Sequence, residues 1–524
     1  MVSLQVKWGK QTLDLQYDPA TGYKGLVNEL SEKTSVPIER MKVMAKTKGL
    51  WKGVLKEDTV VDWGSVSTAS PAQLLLMGSA TKLTGPAKPV VFLEDLPAEQ
   101  VAKVVDPSGL HNLGNTCYMN SVVQCLRVVD PLRKGLEAYQ ASRQAGGSAN
   151  LNNMSTPLLI TSLQKTWEQL DRQTTAMNPM PLVQATKMAY PQFNQRGPQG
   201  QPMQQDAEEF YSNLMTTLAG ESRDLVDKGL PDVAKDSLLG ATNLIDALFG
   251  IRLEETLTCT EVDSEPTVTT TDLARKLVCS IQGGGDLRSV TNVGHVAEGI
   301  ALSLEEGNIE KHSNVLGRNA LWKRTQRISR LPPILVVQFG RFYWKATPDS
   351  QDHPNGVKCK VMKPVAFNST LDVYEFCSEG IQKVLKKHRD AAIKAEEERL
   401  FAKDAKQKEG DGDAEMKDAS QTEEDPDLQA ALALSMQADD TETEQPVGPG
   451  LPSDFQGQYE LFGVVTHKGR DADGGHYMAW VKHKEGWYVF DDDEVTRCEE
   501  EDVMKLKGGG DWHMSYINFY RASK

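Results

Sequence analysis

"GLHNLGNTCYMNSVVQCL", residues 109–126, sets one cysteine between a turn-forming string and an apolar run. Gly109, Gly114 and the neighbouring asparagines tolerate turn geometries, and "YMNSVVQCLRVV" reads as a helix. Cys117 therefore falls at or near a helix N-terminus, where unpaired N–H groups and the helix dipole favour an anion. Three readings stay open for it: a nucleophile, a metal ligand, or a small buried side chain. Cys125, on the apolar stretch of the same helix, is expected to pack. A nucleophilic thiol also needs a base, and the base an orienting group.

The far end of the chain offers both. In "DADGGHYMAWVKH", His476 follows two glycines and opens an alternating strand. His467 and His483 lie on neighbouring stretches that read as surface. "GWYVFDDDEV" then closes a strand with carboxylates, and Asp491 would meet the imidazole of His476 if the two strands form a hairpin.

Composition narrows the class. At 524 residues, two to four domains are expected. A hydrophobic fraction of 39% and a mean hydropathy of -0.45 describe a soluble chain, and no apolar run approaches the roughly 20 residues that span a bilayer. The opening "MVSLQVKWGKQTLDLQYD" alternates like a strand and lacks a secretory core, so a cytoplasmic and nuclear location is expected. A net charge of -15 argues against a nucleic-acid binder. The seven cysteines form no CxxC pair, so neither a metal nor another cofactor is expected.

Organisation follows from pattern. Over residues 1–80, "LQVKW" and "TLDLQY" alternate around "GKQ" as a hairpin. "YKGLVNELSEKTSV" sets Leu26, Val27, Leu30 and Val36 largely on one helical face, and "RMKVMAK" and "AQLLLMGS" close as strands. This order resembles the ubiquitin-like fold; ending in "LLLMGSA" and not Gly-Gly, it reads as a docking module. Residues 81–106 read as a linker. Helical patterns dominate to about residue 250 and strands thereafter. Residues 386–450 are too charged to bury a core and are expected to be a mostly disordered insertion that begins with a charged helix. Within it, near 423–439, a short helix capped by Asp425 or Asp427 would place Leu428, Ala431, Leu432 and Ser435 on one face. That pattern resembles a ubiquitin-interacting motif.

The separated motifs share one resemblance. "GLHNLGNTCYMNSVVQCL" is similar to the Cys box of the ubiquitin-specific proteases, a papain-like deubiquitinase family. "GGHYMAWV", "WYVFDDDEV" and "SYINFYR" resemble its His box, and "QQDAEEFYSNLM" an intervening family motif. The resemblance spans about residues 107–523 and implies an α+β fold class. An N-terminal ubiquitin-like β-grasp domain and a linker would precede a catalytic domain of thumb, palm and fingers, interrupted by the acidic insertion. It implies Cys117 as nucleophile, His476 as general base, Asp491 as its orienting group and Asn112 as oxyanion donor, while Asn115 shapes the turn. Gln205, Asp206, Gly475 and Tyr477 are implied in ubiquitin binding, with Phe342, Tyr343 and Trp344 as a wall for ubiquitin's tail or, equally, a buried strand end. Zinc is not expected in the fingers, because Cys259 and Cys279 stand singly.

"RNALWKRTQRISRLPPILVVQFGRFYWK" and "LFGIRLEETLTC" resemble the proteasome-associated subtype. In that subtype the N-terminal domain docks on the 26S proteasome regulatory particle, ubiquitin is trimmed from held substrates, and loops restrain the free form. A catalytically weak ubiquitin-binding adaptor is the competing reading, disfavoured because Cys117, His476 and Asp491 are all present.

Overall fold

The computed structural model describes residues 1–9, 11–34, 36–66, 71–78, 106–139, 154–197, 199–281, 292–305, 307–345, 357–408, 447–470, 474–484, 486–510 and 512–523. The interval read as a linker, except Asp106, and the ubiquitin-interacting-motif-like helix both lie outside these residues. The chain divides into two compact units, Met1–Leu96 and Pro97–Lys524.

The first unit is a four-stranded sheet with one helix. β1 (Val2–Trp8) and β2 (Gln11–Tyr17) pair antiparallel, and β3 (Lys42–Ala45) and β4 (Ala72–Met77) complete the order β2-β1-β4-β3. β1 and β4 run parallel, the crossover being made through the helix Gly22–Thr34. Alternate side chains of β1 and β4 point to one face, and there Leu4, Val6 and Leu74 meet Leu26, Val27 and Leu30 of the helix in one core.

The second unit carries the remaining strands. In chain order they are β5 (Ile251–Cys259), β6 (Val268–Ala274), β7 (Leu277–Cys279), β8 (Asn308–Ser313), β9 (Arg318–Arg330), β10 (Ile334–Phe339) and β11 (Phe342–Lys345). There follow β12 (Val357–Lys360), β13 (Thr370–Asp372), β14 (Gln458–Lys468), β15 (His476–His483), β16 (Gly486–Asp491), β17 (Glu494–Cys498) and β18 (Met514–Ala522). The central sheet has the order β17-β16-β15-β14-β18-β10-β7, with β13 added beside β14. A second sheet has the order β6-β5-β9-β8, and β11 and β12 form a ribbon.

The central sheet is covered on both faces. Along β15, Tyr477, Ala479 and Val481 face the core shared with the helix Cys117–Arg127, while Met478 and Trp480 face the opposite core. A strand covered on both faces reads as a continuous apolar run, and in β14 every residue from Leu461 to His467 is buried. His467 is therefore core and not surface, a correction to its sequence reading, and His483 is half-buried. Polarity near the strand ends misled because the cover extends to those ends.

The helix Cys117–Arg127 is buried along its whole length. Its polar residues are accommodated by partners: Gln124 Nε2 donates to Ser108 O at 3.0 Å, and Arg127 Nη2 donates to Asp171 Oδ1 at 2.8 Å. Cys125 packs on Gly463, where any Cβ would come 3.3 Å from its sulfur, and burial pushes its thiol well above the usual range.

The charged segment is folded further than composition implies. The helix Glu379–Lys408 begins by packing Leu385, and Arg389 donates to Gln456 O at 2.8 Å. At the other edge Val447 is buried. Residues 386–389 and 447–450 thus belong to the packed body, because the apolar positions at the helix start are few but all used. In the second sheet, Cys259 lies in a small apolar cluster with Leu257, Ala320 and Trp322. Nearby, Glu265 accepts from Ser313 Oγ at 2.5 Å and from the N–H groups of Asn314 and Val315.

Candidate active site

The local turn is set by Asn112. Its Oδ1 accepts from Gly114 N at 3.0 Å and Thr116 N at 3.1 Å, while Leu113 N donates to Thr116 Oγ1 at 2.9 Å. Gly114 (φ 95) and Asn115 (φ 54) take left-handed conformations that glycine and asparagine tolerate, and Asn115 Nδ2 donates to Pro202 O at 2.8 Å. The chain then enters the helix at Cys117, with no side-chain cap from Thr116. The Cys117 N–H has no acceptor among the described residues, so it is one of the donors left at a helix start.

His476 is the first residue of β15, next to Gly475 (φ 130). A side chain at Gly475 would come 2.2 Å from Lys468 O and 2.7 Å from His467 Nε2, so only glycine fits. Hairpin pairing of β15 with β16 brings Asp491 back to the histidine, and Nε2 lies 2.5 Å from Asp491 Oδ1. The neighbouring Cys117 side chain and the Asp491 carboxylate outweigh burial and hold the His476 pKa up at about 9. Cys117, His476 and Asp491 therefore meet, although more than half the chain separates them.

The turn after β16 contributes a residue that sequence reading missed. Asp492 takes a left-handed conformation (φ 53) and is only 8% exposed. Its Oδ1 accepts from Asn120 Nδ2 at 2.8 Å and its Oδ2 from Asn112 Nδ2 at 2.9 Å. Burial pushes its carboxyl up, and the two amides oppose this. Leu110 N donates to Asp492 O at 2.8 Å, so the cysteine turn and the aspartate turn are joined through one residue. The polar stripe of Asn120, Gln124 and Arg127 along an otherwise apolar helix was the available signal. Asn112, expected at the oxyanion, gives one N–H to Asp492 and retains a second.

Gly109 explains its own identity. A Cβ there would lie 2.5 Å from Asp492 O and 2.7 Å from Asp493 O, both rigid backbone atoms. Gly109→Ala is expected to force the two turns apart, lowering unfolding free energy by about 1–3 kcal/mol together with the catalytic rate. Denaturant unfolding checks the first effect and steady-state kinetics the second; unchanged values would show that the turns can separate freely.

The other predicted residues fall nearby in several roles. Asp206 caps the helix Ala207–Glu221 by accepting from Glu208 N at 2.9 Å, and it also accepts from the Tyr516 hydroxyl at 2.7 Å. Tyr477 is buried in the core shared with the helix Cys117–Arg127. Gln205 Nε2 donates to Met203 O at 3.3 Å. Phe342 is half-buried against His467 and Tyr516, with ring centroids 5.3 and 5.0 Å away, whereas Tyr343 and Trp344 are exposed. The aromatic trio is thus a packed base with two exposed rings, and not a buried strand end.

Lys360 also went unread. It is buried and donates to His467 O at 3.1 Å and Gly469 O at 2.8 Å, with Nζ 2.6 Å from His467 Nδ1. It fixes the start of the segment that leads to His476, and burial lowers its pKa to about 7. A metal has little claim here. Ligand atoms of His476, Asp491 and Asp492 lie within 4.8 Å of one another, but each residue is already engaged by the protein partners given above.

The arrangement suits nucleophilic attack by sulfur, with an imidazole to move the proton. Its pH dependence has a definite sign. A histidine pKa raised to about 9 means the imidazolium persists to that pH and is lost above it. The stability it brings is complete below the ordinary histidine value of 6.5 and disappears as pH rises through about 9. Turnover that needs this proton should hold to about pH 9 and then fall. A pH–rate profile with its descending limb near 6.5 would contradict the pairing.

The comparisons with known proteins agree with this geometry. The family described as "Ubiquitin carboxyl-terminal hydrolase" matches residues 108–520. Ubiquitin carboxyl-terminal hydrolase 6 of Arabidopsis thaliana is 35% identical, covering 100% of this chain and 99% of its own length. Ubiquitin carboxyl-terminal hydrolase 6 of Schizosaccharomyces pombe is 31% identical over 100% and 99%, and ubiquitin carboxyl-terminal hydrolase 14 of Caenorhabditis elegans 30% over 100% and 94%.

Proposed function

The chain belongs to the ubiquitin carboxyl-terminal hydrolase family and is a deubiquitinating cysteine hydrolase; from that premise we propose how its residues divide the work and where it acts. The observation that carries the reading is His476, hydrogen-bonded to Asp491 at 2.5 Å and set beside the Cys117 side chain, which with that carboxylate raises its pKa. Cys117 sulfur attacks the carbonyl carbon at ubiquitin's C-terminus. The C–N bond breaks as the His476 imidazolium gives its proton to the leaving lysine amine. Water, deprotonated by the same imidazole, then cleaves the thioester and restores the thiol. Asp491 orients the ring. Negative charge on the carbonyl oxygen is met by the spare N–H of Asn112 and the Cys117 N–H, and one such donor is worth about 3 kcal/mol. Asp492 keeps the Asn112 turn and the cysteine helix in register.

The enzyme trims ubiquitin from substrates at the proteasome, with the β-grasp unit as its docking module. The separate core of that unit supports this, as does full-length similarity to relatives that extends through it. Cys117 is only 2% exposed, so attack requires the neighbouring segments to open, and docking supplies that opening. The test is hydrolysis of a fluorogenic ubiquitin C-terminal substrate with and without 26S proteasomes. Proteasomes should raise the rate of the full chain, and removal of residues 1–80 should abolish the rise. An equal rate in all conditions would overturn the proteasomal role and leave the hydrolase assignment intact.

A further inference from the structure

The helix that starts at Cys117 ends at Arg127, and the strand that starts at His476 ends at His483. Both far ends open on a cavity of about 400 Å³. An 11-residue helix is about 16 Å long, so this cavity is well removed from the sulfur. Its size suits a small-molecule site, the range for which begins at roughly 300 Å³.

The lining is cationic on balance in a chain of net charge -15. Arg127, Arg133, Lys482, Lys484 and Arg521 line it, against the carboxylates of Asp130 and Glu460. Asp171 sits behind the two wall arginines and accepts from both, and Asp106 faces Lys484. Cations still outnumber carboxylates. Arg521 is spread over the Phe462 ring at 4.4 Å, and Lys482, half-buried, has no carboxylate partner among the described residues.

Unmet hydrogen bonds point the same way. Arg127 is 4% exposed, and its Nη1 has no acceptor among the described residues; Arg133 Nε and His483 Nδ1 are likewise buried and unpartnered. An orphaned buried donor costs about 1–3 kcal/mol, and two guanidinium N–H groups beside one cavity ask for an acceptor. A phosphate group brings close to two negative charges and three acceptor oxygens in a compact volume, and the planar guanidinium fork matches it.

We propose that this cavity binds a small soluble molecule bearing two or more phosphate groups. Concavity favours a compact ligand over a membrane face, and Lys482 is the contact whose loss reads out most cleanly.

Isothermal titration of the full chain with inorganic tripolyphosphate tests the site. One saturable binding event, weakened by salt, is expected. Lys482→Glu should weaken it at least about tenfold, with an unchanged thermal midpoint showing that the fold survives. Lys505→Glu, an exposed lysine outside the cavity, should leave it unaltered, and orthophosphate should bind more weakly. Vesicles of phosphatidylcholine with phosphatidylinositol bisphosphate should not co-sediment with the chain. No saturable heat, equal loss in both variants, equal affinity for orthophosphate, or vesicle binding in place of tripolyphosphate binding would each overturn the proposal.

Discussion

Cys117→Ala is expected to reduce hydrolysis of a fluorogenic ubiquitin substrate by at least about 10⁴-fold, on the scale seen when a covalent nucleophile is removed. No second thiol can substitute. Cys125, Cys259, Cys279 and Cys377 are buried, and burial holds the thiols of Cys279 and Cys377 up at about 12. Cys359 and Cys498 are half-buried, but Cys359 lies on the β11–β12 ribbon and Cys498 at the end of β17, and neither has a paired histidine among the described residues. Folding should survive, since alanine suits a helix start in an apolar core. The variant should still bind ubiquitin, so the loss appears in kcat and not in KM. Residual activity within tenfold of the parent would mean that the sulfur next to His476 is not the reacting atom.

The second large effect belongs to Asp492. Asp492→Ala removes the acceptor shared by Asn112 and Asn120 and strands two amide donors in a buried setting. Each orphaned group costs about 1–3 kcal/mol, so a combined loss of about 2–6 kcal/mol of stability is expected. Activity should fall by about 10²-fold as well, because displacement of a catalytic group by an ångström costs that much. Asp491→Ala provides the contrast. Its carboxylate side chain is 45% exposed and its side-chain hydrogen-bond partner among the described residues is the imidazole, so activity should fall while unfolding free energy drops less than in Asp492→Ala. Unfolding curves and kcat measured on both variants separate the roles; an Asp492→Ala protein as stable as the parent would remove the proposed link between the two turns.

These two aspartates also mark where sequence reading stops. Cys117 and His476 were legible because each combines a reactive side chain with an unusual backbone setting. Asp491 was legible through the hairpin that its strand pattern implies. Asp492 was not, since three consecutive carboxylates are chemically identical in sequence. Only the pairing of Asp491 with Glu494 and the left-handed turn at Asp492 decide which one faces the cysteine helix. His467 failed for a different reason. Polar residues around it suggested solvent, but a sheet covered on both faces buries its central strand whatever the local polarity. Lys360 was invisible because its acceptors, on His467 and Gly469, lie more than a hundred residues further along the chain. The strands and helices themselves were largely readable from alternation and apolar spacing, whereas the short β7 and β13 depend on pairing with strands distant in sequence.

Catalysis at Cys117 passes through one covalent event, which ubiquitin carrying a C-terminal vinyl sulfone can capture. Incubation with the full chain in the presence of proteasomes, followed by peptide mapping, should find a single adduct on Cys117 and none in Cys117→Ala. An adduct on any of the other six cysteines, or no adduct at all, would contradict it.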